Sequence, residues 1–209
     1  MSPYLNLTSS LYAATSTDIT RPHTLRTYSI RGSGLNPTIV EALCATISLP
    51  SHFVPVKVGP QLTQRNFIGG PRGAHNPTRE LLKEAETVFG NEKHIAQIIS
   101  IGCGVPRALS LEMMTQEVGL GRLPKEVAAD CQMVAQDLDM RLFNVDAYHR
   151  FEVEKGMADL EISNWAVLGE IENLTVDYIQ TSIVTRHLDL SLQGLQSKVG
   201  TVTLGQLSK

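Results

Sequence analysis

Short apolar blocks broken by glycine, proline and polar residues fill the first half of the chain, and helical periodicity takes over in the second. Leu11 to Ile19 and Leu25 to Ile30 read as strands, and the polar stretch Arg31 to Pro37 reads as a loop. Asn36 is placed to cap a helix with Pro37 at its first position, where a missing N–H costs nothing. Ile39, Val40, Leu43, Cys44 and Ile47 then recur along one helical face, which predicts an apolar stripe turned to a core. Leu49-Pro50 ends that helix, because a residue before proline is pushed out of the helical region. Phe53 to Val58 and a segment around Phe67 are the next strand candidates.

Asn76-Pro77-Thr78 repeats the same start signal, followed by Leu81, Leu82, Ala85, Val88 and Phe89 and stopped by Gly90-Asn91. Ile95 to Ile101 is nearly continuous in apolar residues, which suits a strand covered on both faces, as in parallel sheets. Gly102-Cys103-Gly104 closes it. Beyond residue 105, Val127, Cys131, Val134 and Leu138 mark one helix. Leu168, Ile171, Thr175, Tyr178 and Ile179 mark another, with Ser163 as its cap and Trp165 in the same apolar stripe, read as core. Strands alternating with helices predict an α/β layered fold with a mainly parallel sheet over residues 1–110 and a helical extension over 111–209 packed on the same domain.

Composition narrows the function classes. The chain has 209 residues, 42% hydrophobic and 19% charged, with a formal net charge of −3 and a pI near 6.1. Those values fit a globular protein with a real core and leave no basic footprint for nucleic acid. Lys and Arg are scattered, with no block that would bind an anionic membrane. Cys44, Cys103 and Cys131 are odd in number and lack metal-ligand spacing, so no metal and no cofactor are expected and a reducing compartment is favoured. The start Met1-Ser2-Pro3-Tyr4 has no signal-peptide pattern, and no apolar run approaches bilayer length. The expected location is cytoplasmic.

Four segments carry a resemblance. Thr38 to Pro55 (TIVEALCATISLPSHFVP), Phe67 to Pro77 (FIGGPRGAHNP), Ser100 to Gly104 (SIGCG) and Tyr148 to Gly156 (YHRFEVEKG) with Trp165 occur in this order. They resemble segments of the patatin-like phospholipase family, fungal members in particular: T-I-W-E-A-A-R-A-T, F-x-D-G-G-x-G-x-N-N-P, S-I-G-T-G and Y-x-R-F-N-V. The likeness runs from about Leu11 to Leu207. It implies a three-layer α/β/α fold in which a Ser-Asp dyad cleaves acyl esters of lipids. The serine of such enzymes lies in a G-x-S-x-G elbow, a glycine-rich loop upstream forms the oxyanion hole, and the aspartate of the D-G-G motif serves as base. A serine hydroxyl is a weak nucleophile until a base takes its proton, and the tetrahedral intermediate needs preorganised N–H donors.

Two departures follow from the same comparison. No G-x-S-x-G occurs in the chain, and Gly69 stands where the resemblance places the aspartate, within the D-G-G-like motif of Gly69, Gly70 and Gly73. The chain is therefore expected to be the C-terminal part of such a domain, inactive alone. The alternative is a non-catalytic lipid- or protein-binding regulatory module derived from one. The partners implied are a lipid or membrane surface, the N-terminal half of the domain, or a second copy of the chain.

Other residues invite sharper readings. Gly32-Ser33-Gly34 has its glycines too close for a nucleophile elbow and reads as a turn. Arg72, in the Gly69–Gly73 loop before a helix, is a candidate anion contact. Cys103 with His75 as base would make a thiolate nucleophile, but a tightly packed turn is the preferred reading. His149 and Arg150 read as a solvated pair.

Overall fold

The computed structural model describes residues 9–30, 35–50, 52–69, 74–104, 122–145, 147–157, 160, 164–196 and 200–207, with the backbone alone over 122–130. The described chain is mixed α/β and divides into two compact units, Met1–Pro77 and Thr78–Lys209.

In the first unit, β1 (Ser10–Thr15) and β2 (Asp18–Arg26) form a hairpin, α1 spans Ile39–Ile47, and β3 (Val56–Val58) and β4 (Arg65–Ile68) form a second hairpin. The sheet order is β2-β1-β4-β3, and every ladder in it is antiparallel. Short connections dictate this within the two hairpins, since strands joined by a tight turn can only run antiparallel. β1 and β4 pair across a long connection that includes α1. Thr15 pairs with Asp18 around a turn of Ser16 and Thr17, so the strand expected over Leu11 to Ile19 is folded back on itself. That turn has no Asn-Gly or Asp-Gly signature to announce it. A core of Ala13, Leu25, Ala42, Ala45, Val58 and Phe67 lies between α1 and the sheet.

The cap and the buried face of α1 both differ from expectation. Thr38, rather than Asn36, is the N-cap: its hydroxyl accepts from the Glu41 N–H at 3.2 Å, and the Glu41 carboxylate accepts from the Thr38 N–H at 2.8 Å. This reciprocal capping box satisfies two donors that the first turn leaves open. Both Thr38 hydrogen bonds hold the Glu41 carboxyl below its usual range. Thr38→Ala is expected to cost about 1 kcal/mol of stability, measured by urea denaturation. The stripe of Ile39, Val40, Leu43, Cys44 and Ile47 faces outward, with Ile39 74% exposed, while Ala42 and Ala45 are buried. Small side chains let the helix backbone approach the sheet closely, and the bulky stripe cannot.

The second unit opens with α2 (Thr78–Phe89), which stops at Gly90, whose φ of 81° is the left-handed conformation of a helix C-terminus. Next come β5 (His94–Ile95), β6 (Ile98–Ile101), α3 (Arg122–Leu142), a 3-10 turn (Phe143–Val145) and β7 (Tyr148–Phe151). A further 3-10 turn (Trp165–Val167) leads to α4 (Leu168–Gln180) and α5 (Ser182–Gln196), then β8 (Val202–Thr203) and α6 (Leu204–Leu207). β6 and β7 pair in parallel, with α3 in the crossover between them; β5 and β8 pair antiparallel. Of the sheet expected to be mainly parallel, the described residues contain this one parallel pair.

Leu82, Ile98, Val134, Leu138, Leu142, Tyr148, Val202, Leu204 and Leu207 make the second core. Burial along β6 alternates: Ile98 and Ser100 are buried, whereas Ile99 is 39% and Ile101 79% exposed. The strand was expected to be covered on both faces; one face is covered. Trp165, expected in the core, is 82% exposed and Ile179 45% exposed: no described element covers that side of the stripe, and α4 is followed by a second helix, α5, not foreseen from the sequence. The cap of the 3-10 turn before α4 is Asn164; Ser163 lies outside the described residues. No described helix is long and apolar enough to cross a membrane.

Candidate functional site

The carboxyl ends of two parallel strands are where open α/β sheets gather ligands and reactive groups, and here the ends of β6 and β7 gather a connected polar cluster. Parallel register sets Ser100 beside Arg150. The Arg150 guanidinium donates through Nη1 to Ser100 Oγ at 2.8 Å. Its other edge meets the Glu152 carboxylate twice, Nη2 to Oε1 at 2.9 Å and Nε to Oε2 at 3.3 Å. Both side chains of that ion pair are 14% exposed. Ser100 Oγ also shares a 3.2 Å hydrogen bond with Thr78 Oγ1 at the start of α2, and the Glu152 N–H donates to the Tyr178 hydroxyl of α4 at 3.1 Å.

Gly102 makes the cluster possible. A Cβ there would collide with Glu152 Oε1 and, at 2.5 Å, with Arg150 Nη2, so any other residue would require the ends of the ion pair to shift. Gly104 has a φ of 115° and packs against Met157. The tightly packed turn expected at Gly102-Cys103-Gly104 is present in its glycines, although Cys103 itself is exposed.

The chemistry of this arrangement is that of a lock. Ser100 receives a hydrogen bond from a guanidinium, a group that has no lone pair to accept a proton. The Glu152 carboxylate is taken up by the guanidinium fork, which leaves it no role as base towards Ser100. No described histidine or carboxylate has a hydrogen bond to the Ser100 hydroxyl. Arg150 thus belongs to a half-buried network, not to the solvated pair that its sequence neighbourhood suggests. His149 is 1% exposed, with its ring 4.9 Å from that of His187 on α5. His187 lies equally close to Phe151.

Other expected residues fall as follows. Gly69 closes β4, buried, with its N–H donating to the Ser48 carbonyl at 2.8 Å at the end of α1. A Cβ at this position would collide with the Thr46 carbonyl oxygen and lie 3.0 Å from the Ser48 nitrogen. Gly70, Arg72 and Gly73 lie outside the described residues, as do Gly32, Ser33 and Gly34. His75 belongs to the first unit and Cys103 to the second. No group of three or more His, Cys, Asp or Glu side chains among the described residues could hold a metal ion.

Sequence reasoning missed Glu152 and Ser100 as partners of Arg150. The alternation Tyr148-His149-Arg150-Phe151-Glu152 held the signal, since Arg150 and Glu152 must share one side of an extended chain. Comparison with known proteins adds no relative: no protein-family model matches the chain, and no curated protein matches it.

Proposed function

We propose that the chain is the C-terminal part of a patatin-like lipid acyl hydrolase domain, with the three-layer fold of that family, and that these residues do not hydrolyse lipid by themselves. The observation that carries the reading is the β6–α3–β7 unit. It is a parallel crossover with Ser100-Ile101-Gly102-Cys103-Gly104 at its carboxyl end, and β6 has no second strand neighbour among the described residues. The open edge of β6 is a place for a further strand, and the exposed Ile99 and Ile101 on its other face are a place for a further layer, both of which the rest of a three-layer domain would supply. Inactivity is supported by the missing G-x-S-x-G, by glycine at position 69 and by a Ser100 hydroxyl tied to a guanidinium.

The purified chain, assayed with a short-chain p-nitrophenyl ester, is expected to give no turnover above the uncatalysed rate. Saturable turnover would overturn the inactivity reading. A second reading, a non-catalytic lipid- or protein-binding module, is favoured by one observation: each unit has its own apolar core. Sedimentation and calorimetry separate the two. Self-association through the open edge supports a domain part, whereas a monomer with cooperative unfolding supports the module.

A further inference from the structure

Between the β1–β2 hairpin and β4 lies a cleft of about 400 Å³, lined by polar and charged residues. Arg21 and His23 reach it from β2, Arg65 from β4, and Ser16 and Thr17 from the hairpin turn. That volume is in the range of small-molecule sites.

We infer that this cleft is a binding site for a phosphoryl group, held between the Arg21 and Arg65 guanidiniums with hydroxyls of the hairpin turn as further donors. Neither guanidinium has an ion pair or side-chain hydrogen bond among the described residues. Two forks, one from each strand flanking β1, can each offer paired N–H donors to one tetrahedral anion, which a lone lysine could not. β1 runs between them with only small side chains at Ala13 and Ala14, both fully buried, and the half-buried His23 ring meets Phe67 of β4 edge-on at 5.6 Å. That contact fixes the imidazole at the wall of the cleft.

One negative charge faces the same space. Asp18 lines the cleft, but its Oδ1 already accepts from the Thr20 hydroxyl at 2.6 Å and the Thr20 N–H at 3.0 Å. Those hydrogen bonds, the hydroxyl's first, hold its carboxyl below the usual range. The balance of the two arginines over one aspartate leaves the cleft cationic. His23 reports on this: burial first, then Arg65 and Arg21, push its proton affinity below the ordinary imidazole value, with Asp18 opposing. An anion between the guanidiniums offsets their repulsion, so His23 takes up a proton more readily when the site is filled. By reciprocity, affinity rises as pH falls through the His23 midpoint.

The test uses the whole chain with inorganic phosphate at low ionic strength, against chloride at matched ionic strength, read by calorimetry and by the His23 ring protons in NMR. Expected are saturable binding, an upward move of the His23 titration midpoint, and a loss of roughly tenfold in affinity for each of Arg21→Gln and Arg65→Gln. Both arginines are exposed, so these variants keep the fold. Asp18→Asn retains an acceptor for Thr20 and is expected to bind phosphate more tightly. Vesicles carrying phosphatidic acid, against neutral phosphatidylcholine, identify the source. Arginine-dependent sedimentation with the acidic vesicles assigns a lipid headgroup, and phosphate binding without it assigns a free phosphorylated compound. Phosphate binding no stronger than chloride, or binding indifferent to both arginine substitutions, would overturn the site.

Discussion

Gly69→Asp is expected to unfold the first unit rather than to restore a catalytic carboxylate. The backbone at residue 69 lies against the end of α1, donating its N–H to Ser48 and leaving no room for a Cβ beside the Thr46 carbonyl. Both obstacles are main chain, so neither can swing aside as a side chain could. Overpacking of this kind costs about 1–3 kcal/mol, and a carboxyl brought into the buried position adds its own desolvation. Together they approach the whole stability of a small unit. Gly69→Ala isolates the steric part and should fall between wild type and Gly69→Asp in urea denaturation. Equal stability of all three proteins would show that α1 can retreat from β4. The aspartate that the resemblance places here is therefore a poor fit to this backbone, whatever the history of the position.

The second large effect is expected at Arg150. Its guanidinium serves Ser100 and both oxygens of Glu152, with each partner of the ion pair 14% exposed. Arg150→Met fills similar volume but leaves the Glu152 charge without its counter-ion, and breaking such a half-closed pair costs about 3 kcal/mol. Arg150→Lys should recover little, because one ammonium cannot bridge Ser100 and also fork onto a carboxylate. The double variant Arg150→Met with Glu152→Leu should be more stable than Arg150→Met alone, since the orphaned charge is gone. A thermal melt of the four proteins checks the order; an unperturbed Arg150→Met would mean the pair is worth no more than a surface salt bridge.

Much of the secondary structure was legible because its signals are local. Gly90 ended α2 where its left-handed turn was expected, and the strand of Ile98 to Ile101 is announced by its own apolar run. The face of α1 was not legible, because the helix is apolar nearly all round: Ala42 and Ala45 lie opposite larger residues that score higher in any periodicity count. Closeness of approach, not hydrophobicity, decided which side turned inward. Trp165 misled for a related reason, since an aromatic residue in a helical stripe says nothing of whether a neighbour covers it. At the candidate site, Ser100 and Arg150 stood in two recognised segments, yet only parallel register brings them together. The Arg21, His23 and Arg65 cleft was invisible for the same reason: the hairpin turn at Ser16 and Thr17 has to be known before its strands can be laid side by side.

The two units share one constraint on when they can form. The β1–β2 hairpin joins near neighbours in sequence, but β1 must still wait for β4, which sets Ile68 opposite Ala14, just as Ser100 must wait for Arg150, which lies 50 residues downstream. Contacts between distant residues carry a loop-closure cost that nearby ones avoid, and they form late. During synthesis β1 shows an open edge until β4 emerges, and β6 is a solitary strand until β7 does. Those two intervals are when pairing with another nascent chain competes most directly with folding.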